Sequence, residues 1–376
     1  MATSIYTAIC AGAPQIALMT DCLCTFFFVV CQAERFGTEI KMSEKKPMIA
    51  VPIGDPAGVG PEIVAKACAL EKVNRAADVI VIGDRQVMEK AVRIVSADLS
   101  INVVEKPADG DYRPGILNMI DLDNIDQSQF SYGLVQAMCG KAAFAYIKKS
   151  IELAMSGEAD AVATTPINKE ALHAAEVPFI GHTEIFGALT NTPDPLTMFE
   201  TNGLRVFFLT RHKSLRDMLD DITKDNIKAC VKESLAALRR LGVTEGTMAV
   251  AGLNPHCGEH GLFGWEEVNE ITPAVEELKA EGYPVAGPIG ADSVFHQAAL
   301  GRYNSVLSLY HDQGHIATKT LDFDRTISIT NGMPILRTSV DHGTAFDIAG
   351  KGIVSEISMA EAILLAAKYA PFFVKA

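Results

Sequence analysis

Short apolar runs alternate with longer amphipathic segments along most of the chain. Segments 48–54, 161–166 and 247–252 are rich in β-branched and small apolar residues and end in Gly, Pro or polar residues, which is typical of buried strands. Segments 132–157 and 224–241 have helical spacing of their apolar positions. The alternation predicts an α/β protein with a mainly parallel sheet.

The same patterns predict the remaining elements and their grouping. Further strands are expected at 78–83, 101–104, 116–122 and 303–310, and a hairpin at 196–210 around Asn202-Gly203,. Helices are expected up to Val95, at 265–281, from Asp292 and at 358–369. A boundary near residues 170–180 predicts a first domain of 48–175 plus 345–376 and a second domain of 176–344.

The first 47 residues do not continue this pattern. They contain four of the eight cysteines and no Lys or Arg before Arg35, and their apolar run 23–31 is shorter than the ~20 residues that span a bilayer. We interpret 1–47 as an extension outside the fold, with Met42 or Met48 as a natural start. A targeting or membrane role is the alternative. The scattered cysteines of the body are typical of a reduced, cytoplasmic protein.

The charge of the chain limits its partners. A net charge of −13 argues against binding to nucleic acid or to an anionic membrane. Small phosphorylated molecules remain compatible with this charge, because they need only a local group of cations and backbone N–H donors.

Three histidines each follow a predicted strand. His212, His256 and His311 stand just beyond strand ends, which lie along one edge of a parallel sheet. Three imidazoles with one open position are the ligand set of a catalytic divalent metal. Asp292 and Asp312 could orient these imidazoles or accept a proton, or could act as ordinary helix caps and ion-pair partners.

Two glycine-containing turns open helices and could bind anions. One contains Gly54, Gly58 and Gly60, and the other places His182 and Thr183 at a helix start, where N–H groups are available. The alternatives are a tight strand-to-helix turn in the first case and a simple N-cap by Thr183 in the second.

Several motifs together resemble one enzyme family. They are G-D-P-A-G-V-G-P-E-I, T-P-I-N-K, G-H-T-E, G-L-N-P-H-C-G-E, G-P-I-G-A-D-S-V-F, Y-H-D-Q-G and R-T-S-V-D-H-G-T-A-F-D-I-A-G-K-G. In this order, from about Met48 to the C-terminus, the chain resembles the 4-hydroxythreonine-4-phosphate dehydrogenases of vitamin B6 biosynthesis. The resemblance implies a two-domain, non-Rossmann α/β/α fold similar to isocitrate and isopropylmalate dehydrogenases. It also implies a homodimer whose active site lies in the interdomain cleft and is completed by the partner subunit.

The resemblance also implies roles for individual residues. It places one divalent metal, Zn²⁺ or else Mg²⁺, Mn²⁺ or Co²⁺, on the three histidines already singled out. It implies substrate contacts at His182, Thr183, Lys319, Ser328 and Arg337, and a cofactor loop for NAD or NADP at His342, Thr344, Asp347 and Lys351. The catalytic base remains open among Asp292, Asp312 and Lys319.

The expected reaction is NAD- and metal-dependent oxidation, with decarboxylation, of a 4-phosphorylated 3-hydroxy acid such as 4-phosphohydroxy-L-threonine. Ser328 stands where the family usually has Asn, and His315 begins a segment that departs from the usual Leu-Pro and Gly-rich sequence. These departures resemble the second branch of the family, which acts on D-threonate or D-erythronate 4-phosphate. Three further functions stay open: aromatic cis-dihydrodiol oxidation, metal-dependent hydrolysis or aldol cleavage without NAD, and ligand binding without catalysis.

Overall fold

The structure, a computed structural model, describes residues 45–374. The predicted extension, its apolar run and the alternative start at Met42 therefore lie outside the described residues, apart from residues 45–47. Among the residues that are described, no helix is both long enough and apolar enough to cross a membrane.

A single twelve-stranded sheet runs through the described chain, in the order β3-β4-β2-β1-β5-β12-β11-β6-β7-β10-β8-β9. The α/β class predicted from the sequence is confirmed. The strands are β1 Met48–Pro52, β2 Asp78–Gly83, β3 Ser100–Val103, β4 Ile116–Asp121, β5 Ala161–Thr164, β6 Leu196–Thr201, β7 Leu204–Phe208, β8 Met248–Ala251, β9 Val285–Ile289, β10 Ser305–Ser308, β11 Ile327–Asn331 and β12 Leu336–Ser339.

Twelve α-helices connect the strands of the described chain. They are α1 Gly60–Ala69, α2 Glu71–Ala76, α3 Arg85–Ile94, α4 Ala137–Ser156, α5 Lys169–Ala174, α6 His182–Leu189, α7 Leu215–Leu219, α8 Lys224–Arg240, α9 Thr272–Ala280, α10 Ala291–Ala299, α11 His311–Leu321 and α12 Ile357–Tyr369. Helices α4 and α12 pack against β1 and β5. The last helix thus returns to the first strands of the chain, as predicted.

The direction of the strands changes three times in the middle of the sheet. Strand β11 is antiparallel to both β12 and β6, and β6 is antiparallel to β7. Strands β7, β10, β8 and β9 are mutually parallel and therefore run opposite to β1, β5 and β12. The carboxyl ends of the two groups consequently lie at opposite edges of the sheet.

Most predicted elements occur, with two boundary corrections. The hairpin forms as expected, with positive φ at Asn202 (47°) and Gly203 (86°). The predicted helix 132–157 begins only at Ala137, because Gly133 has a φ of 71° and donates its N–H to Ala57. The predicted helix 265–281 begins with a π-helical turn at Glu267–Ile271. The division into two domains stays a prediction.

Candidate active site

A buried arginine in the middle of the sheet has no carboxylate partner within residues 45–374. Arg337 on β12 is 4% exposed. Its guanidinium donates to Thr330 Oγ1 (2.8 Å) and twice to Thr164 Oγ1 (3.0 and 3.2 Å), and it stacks on the ring of Phe186 at 4.8 Å. Burial lowers the pKa of Arg337 to about 9. A desolvated cation held only by neutral hydroxyls is well suited to an incoming anion.

The helix that contributes Phe186 begins beside this cation. Helix α6 starts at His182, and its N-cap residue is Gly181, which has no side chain to cap the helix. Thr183 is therefore not the N-cap. His182 Nε2 is buried and has no hydrogen-bond partner among the residues that the structure describes. Burial, together with the charge of Arg337, holds the pKa of His182 well below its usual range. His182 and Arg337 thus lie close together, and Thr183 follows His182 in the first turn of α6, where N–H groups are available to an anion,.

The other two predicted substrate residues lie on neighbouring elements. Ser328 on β11 is partly exposed and stands two positions before Thr330, so both side chains lie on the same face of the sheet. Lys319 near the end of α11 forms an ion pair with Asp341 (Nζ–Oδ2 2.6 Å). This pair connects α11 to the loop that follows β12.

The three predicted metal ligands follow adjacent parallel strands. His212 comes after β7, His311 after β10 and His256 after β8, and these strands are neighbours in the sheet. The rings of His212 and His311 are 6.0 Å apart. Within residues 45–374, however, no three His, Cys, Asp or Glu side chains are close enough together to hold a metal ion. The three histidines therefore share one edge but do not form a closed ligand set in this conformation.

The chemistry of this edge fits a metal. His311 Nδ1 hydrogen-bonds to Asp312 Oδ1 at 2.6 Å, which leaves Nε2 as the coordinating atom, the arrangement in which a carboxylate orients a metal-binding imidazole. Partial burial and the nearby charge of Arg211 lower the pKa of His212, which favours the neutral form that binds metals. Asp292, the other predicted carboxylate, stands in the first turn of α10, just beyond β9.

The loop before His256 is fixed by a buried glutamate. Glu267 is 2% exposed, and its carboxylate accepts hydrogen bonds from the backbone N–H groups of Leu253 and Asn254 (2.8 and 2.7 Å). His256 itself has a φ of 53°, an uncommon left-handed conformation for a residue with a side chain. The only tryptophan of the chain, Trp265, packs over Gly261 of the same loop.

The first glycine turn proves to be structural. The N–H groups of Asp55, Ala57, Gly58 and Val59 all donate to protein acceptors, the last to Thr344 O at 3.0 Å. Asp55 is buried, its Oδ2 has no hydrogen-bond partner, and burial raises the pKa of its carboxyl to about 6. Because its donors are engaged, this turn is a tight strand-to-helix connection rather than an anion site.

The predicted cofactor loop is anchored to helix α1. The buried carboxylate of Glu62 accepts from Gly350 N (2.5 Å) and Gly352 N (2.7 Å), and Lys66 Nζ donates to Gly352 O at 2.8 Å. A cavity of about 380 Å³ adjoins this loop, a volume within the range of small-molecule sites. Its lining includes Lys319, Phe323, Asp341, His342, Gly343 and Ile348.

Of the four predicted cofactor residues, His342 alone lines this cavity. Thr344 packs against Gly58, while Lys351 donates to the backbone carbonyl of Asp347 at 2.6 Å. The last three residues thus shape the loop in this structure. An apolar and aromatic lining with a few polar groups fits the adenosine part of a dinucleotide.

Sequence patterns did not find several groups that build the site. Thr164, Thr330 and Phe186 hold Arg337, and Asp341 holds Lys319. Arg211, directly before His212, lines two cavities of about 750 and 490 Å³. The position of Arg211 directly before His212 was the one sequence feature that could have indicated a role for it. No sequence pattern around Thr164 or Thr330 indicates that they contact Arg337.

Comparisons with known proteins identify the family of this chain. The sequence model of the family described as "Pyridoxal phosphate biosynthetic protein PdxA" matches residues 75–366. The chain belongs to the PdxA family. A protein of Fusobacterium nucleatum subsp. nucleatum, named "Putative D-threonate 4-phosphate dehydrogenase", is 65% identical over 86% of this chain and 98% of its own length. A protein of the same name from Clostridium botulinum strain Hall is 60% identical over 89% of this chain and 100% of its own.

Two solved dehydrogenase structures have a similar fold. The crystal structure of a 4-hydroxythreonine-4-phosphate dehydrogenase from Klebsiella pneumoniae matches with a TM-score of 0.79 and 42% identity, over 86% of this chain and 99% of that one. A terephthalate 1,2-cis-dihydrodiol dehydrogenase from Burkholderia xenovorans matches with a TM-score of 0.60 and 27% identity, over 86% and 98%. This PdxA protein is therefore a dehydrogenase acting on a CH–OH group.

Proposed function

We propose that this protein oxidises the C3 hydroxyl of D-threonate 4-phosphate, with the C2 epimer D-erythronate 4-phosphate as the alternative substrate. The observation that carries the proposal is the 65% identity to a relative with that name, compared with 42% to a 4-hydroxythreonine-4-phosphate dehydrogenase. The initial expectation of 4-phosphohydroxy-L-threonine, and with it a role in pyridoxine biosynthesis, therefore gives way to the substrates of the second branch. The uncompensated Arg337 favours an anionic substrate over an uncharged one, and the phosphoryl group of D-threonate 4-phosphate supplies such a charge.

The buried cation and helix α6 would bind the phosphoryl end. Arg337 donates charge-assisted hydrogen bonds, and the N–H groups at the start of α6, with the Thr183 hydroxyl, add neutral donors,. Lys319, which forms an ion pair with Asp341, would bind a second anionic group, and Ser328 would hydrogen-bond a substrate hydroxyl. These contacts orient the substrate and exclude water rather than change its bonds.

Two groups supplied from solution complete the chemistry. A divalent ion held by His212, His256 and His311 would withdraw charge from the alcohol and carboxylate, and NAD⁺ or NADP⁺ beside His342 would accept the hydride. Asp312 would orient the His311 imidazole rather than act as the base, because its Oδ1 is already hydrogen-bonded to His311 Nδ1.

Asp292 is the carboxylate that we propose as the general base. Lys319 is engaged with Asp341 and Asp312 with His311, whereas Asp292 follows β9, the neighbour of the strand before His256. Its carboxylate would take the C3 hydroxyl proton as the C3 hydride leaves, which gives the 3-keto acid. Loss of CO₂ from C1 and protonation at C2 then give dihydroxyacetone phosphate.

NADH formation with labelled substrate tests this proposal. D-threonate 4-phosphate carrying ¹³C at C1 should give one NADH and one ¹³CO₂ per turnover. NADH without ¹³CO₂ would limit the reaction to oxidation, and absence of both would reject the proposed function. Asp292→Asn should lower kcat at least ~100-fold while metal content stays unchanged; an unchanged kcat would exclude Asp292 as the base.

The homodimer with shared active sites remains a proposal that comes from the family resemblance. Sedimentation at micromolar concentration should give the mass of two chains. Only monomer under those conditions, with full activity, would contradict a shared site.

A further inference from the structure

Arg211 is a second desolvated arginine near the substrate region. It is half-buried and lies between β7 and His212. One guanidinium nitrogen, Nη1, donates to Thr197 Oγ1. Within residues 45–374 no carboxylate lies within ion-pair distance of its guanidinium. The negative charge of exposed Asp194 is near enough to affect the pKa of Arg211 without forming an ion pair with it. Four of its five N–H donors therefore have no protein acceptor in the described chain.

The hydroxyl that anchors Arg211 lies directly opposite the hydroxyl that anchors Arg337. Thr197 on β6 pairs with Thr330 on β11 in the antiparallel ladder, and Thr330 accepts from Arg337 Nη1 at 2.8 Å. Residues directly opposite each other project from the same face of a sheet, with Cβ atoms about 4.5–5.5 Å apart. Two arginines are thus anchored to neighbouring threonines on one face.

Helix α6 connects the two arginines on that face. Its Phe186 stacks under Arg337, while its Thr183 lines the same cavity of about 750 Å³ as Arg211. Glu184 also lines this cavity, but its Oε2 accepts a hydrogen bond from Ile180 N at 2.7 Å. The lining of this cavity also includes the carboxylate of Asp194, while the two arginines and the N-terminus of α6 lie on one side of the sheet. Like charges in such an arrangement repel each other until an anion binds them both.

We propose that Arg211 is a further substrate-binding residue, which together with Arg337 selects a phosphoryl group over a carboxylate. This inference rests on the proposed function for the identity of the substrate. A phosphoryl group carries a charge of about −1.5 to −2 and three acceptor oxygens. It can therefore engage two guanidinium groups at once, which a carboxylate with one charge does less well.

Binding of inorganic phosphate tests the role of Arg211 separately from catalysis. Phosphate is titrated calorimetrically into the full-length wild-type protein and into Arg211→Met, Arg211→Lys and Arg216→Met. Arg216 is an exposed arginine on α7 and serves as the matched control. Arg211→Met should weaken phosphate binding about 10- to 100-fold, Arg211→Lys should weaken it less, and Arg216→Met should leave it unchanged. Circular dichroism verifies the fold of each variant.

Two results would overturn the proposal. One is unchanged phosphate affinity in Arg211→Met, and the other is absence of phosphate binding in the wild type. If Arg211→Met does not fold, Thr197→Val removes the anchor of Arg211 instead and should weaken phosphate binding several-fold; unchanged affinity would then overturn it. If Arg211→Met loses phosphate affinity but the wild type forms no NADH from D-threonate 4-phosphate, the proposed function is rejected and the role of Arg211 in binding phosphate stands.

Discussion

Arg337 Nη1 donates to Thr330 Oγ1 at 2.8 Å, and this buried guanidinium has no carboxylate partner in the part of the chain that the structure describes. Arg205 on β7 provides the contrast, because its guanidinium lies 3.4 Å from Glu200 and donates to the Tyr369 hydroxyl at 2.8 Å. The guanidinium of Arg205 thus has a carboxylate partner within the protein, whereas that of Arg337 is available to an anionic ligand.

The two arginines should therefore respond oppositely to substitution. Arg337→Met should leave the free energy of unfolding unchanged or raise it, because it removes a buried charge that costs stability, while kcat/KM falls at least ~100-fold. Arg205→Met should cost about 1–3 kcal/mol of stability, because the buried carboxylate of Glu200 and the Tyr369 hydroxyl lose this partner while Lys368 stays paired with Glu200 at 2.7 Å,. Urea unfolding and steady-state kinetics measure both effects. Equal destabilisation by the two substitutions would contradict a ligand-binding role for Arg337.

Metal binding should change the fluorescence of Trp265. This tryptophan packs on the loop that carries His256, so Zn²⁺ should change its fluorescence in the wild type. His256→Ala and His311→Ala should lower metal affinity at least ~10-fold and abolish the change at equal metal. His173→Ala, on the exposed side of α5, is the control. A wild-type metal content in His256→Ala would remove His256 from the ligand set.

Glu62 should control cofactor affinity from beneath the loop. Its two carboxylate oxygens accept from Gly350 and Gly352, and Glu62→Gln leaves one of these N–H groups facing an amide donor. We expect KM for NAD⁺ to rise about 10-fold with a smaller change in kcat. Glu89→Gln, which alters an ion pair with Arg85 on α3, should have no effect. An unchanged KM for NAD⁺ would separate this loop from the cofactor.

Asp55 should make stability depend on pH. Burial raises its pKa from 3.8 to about 6 in the folded protein, so the folded state holds this proton more tightly than the unfolded state. The stability that this provides is fully present below the unfolded pKa and is lost as pH rises through the folded pKa. Asp55→Asn should therefore gain stability relative to wild type as pH rises from about 4 to about 7, by on the order of 2 kcal/mol.

Urea titrations of wild type and Asp55→Asn at the two pH values measure this difference. Asp98→Asn, at an exposed position, is the control and should show no pH-dependent difference from wild type. A constant difference between wild type and Asp55→Asn across this range would show that Asp55 is not held protonated by burial.

Local patterns predicted the elements and the edge of the sheet at which the three histidines lie. The apolar runs before His212, His256 and His311 form β7, β8 and β10. Periodicity alone indicates where these strands end, and the structure shows that they are parallel neighbours. The hairpin was equally predictable, since Asn202-Gly203 accepts the positive φ angles of its turn,.

The rest of the site depends on contacts between distant parts of the chain. Arg337 is buried by Thr164 and Phe186, which lie more than 140 positions away, and no spacing in the sequence indicates that its partners are neutral. The antiparallel strands β6 and β11 reverse the sheet in its centre, so the His311 edge and the start of the His342 loop lie at opposite edges. Helix α11 links the two through Lys319 and Asp341.

The most direct test of the proposed function is a comparison of kcat/KM for two substrates. NADH formation is followed with D-threonate 4-phosphate and with 4-phosphohydroxy-L-threonine under the same metal and NAD⁺ concentrations. The structure and its relatives predict a kcat/KM at least ~100-fold higher for D-threonate 4-phosphate, a difference of about 2.7 kcal/mol in transition-state binding. A higher value for 4-phosphohydroxy-L-threonine would contradict the proposal.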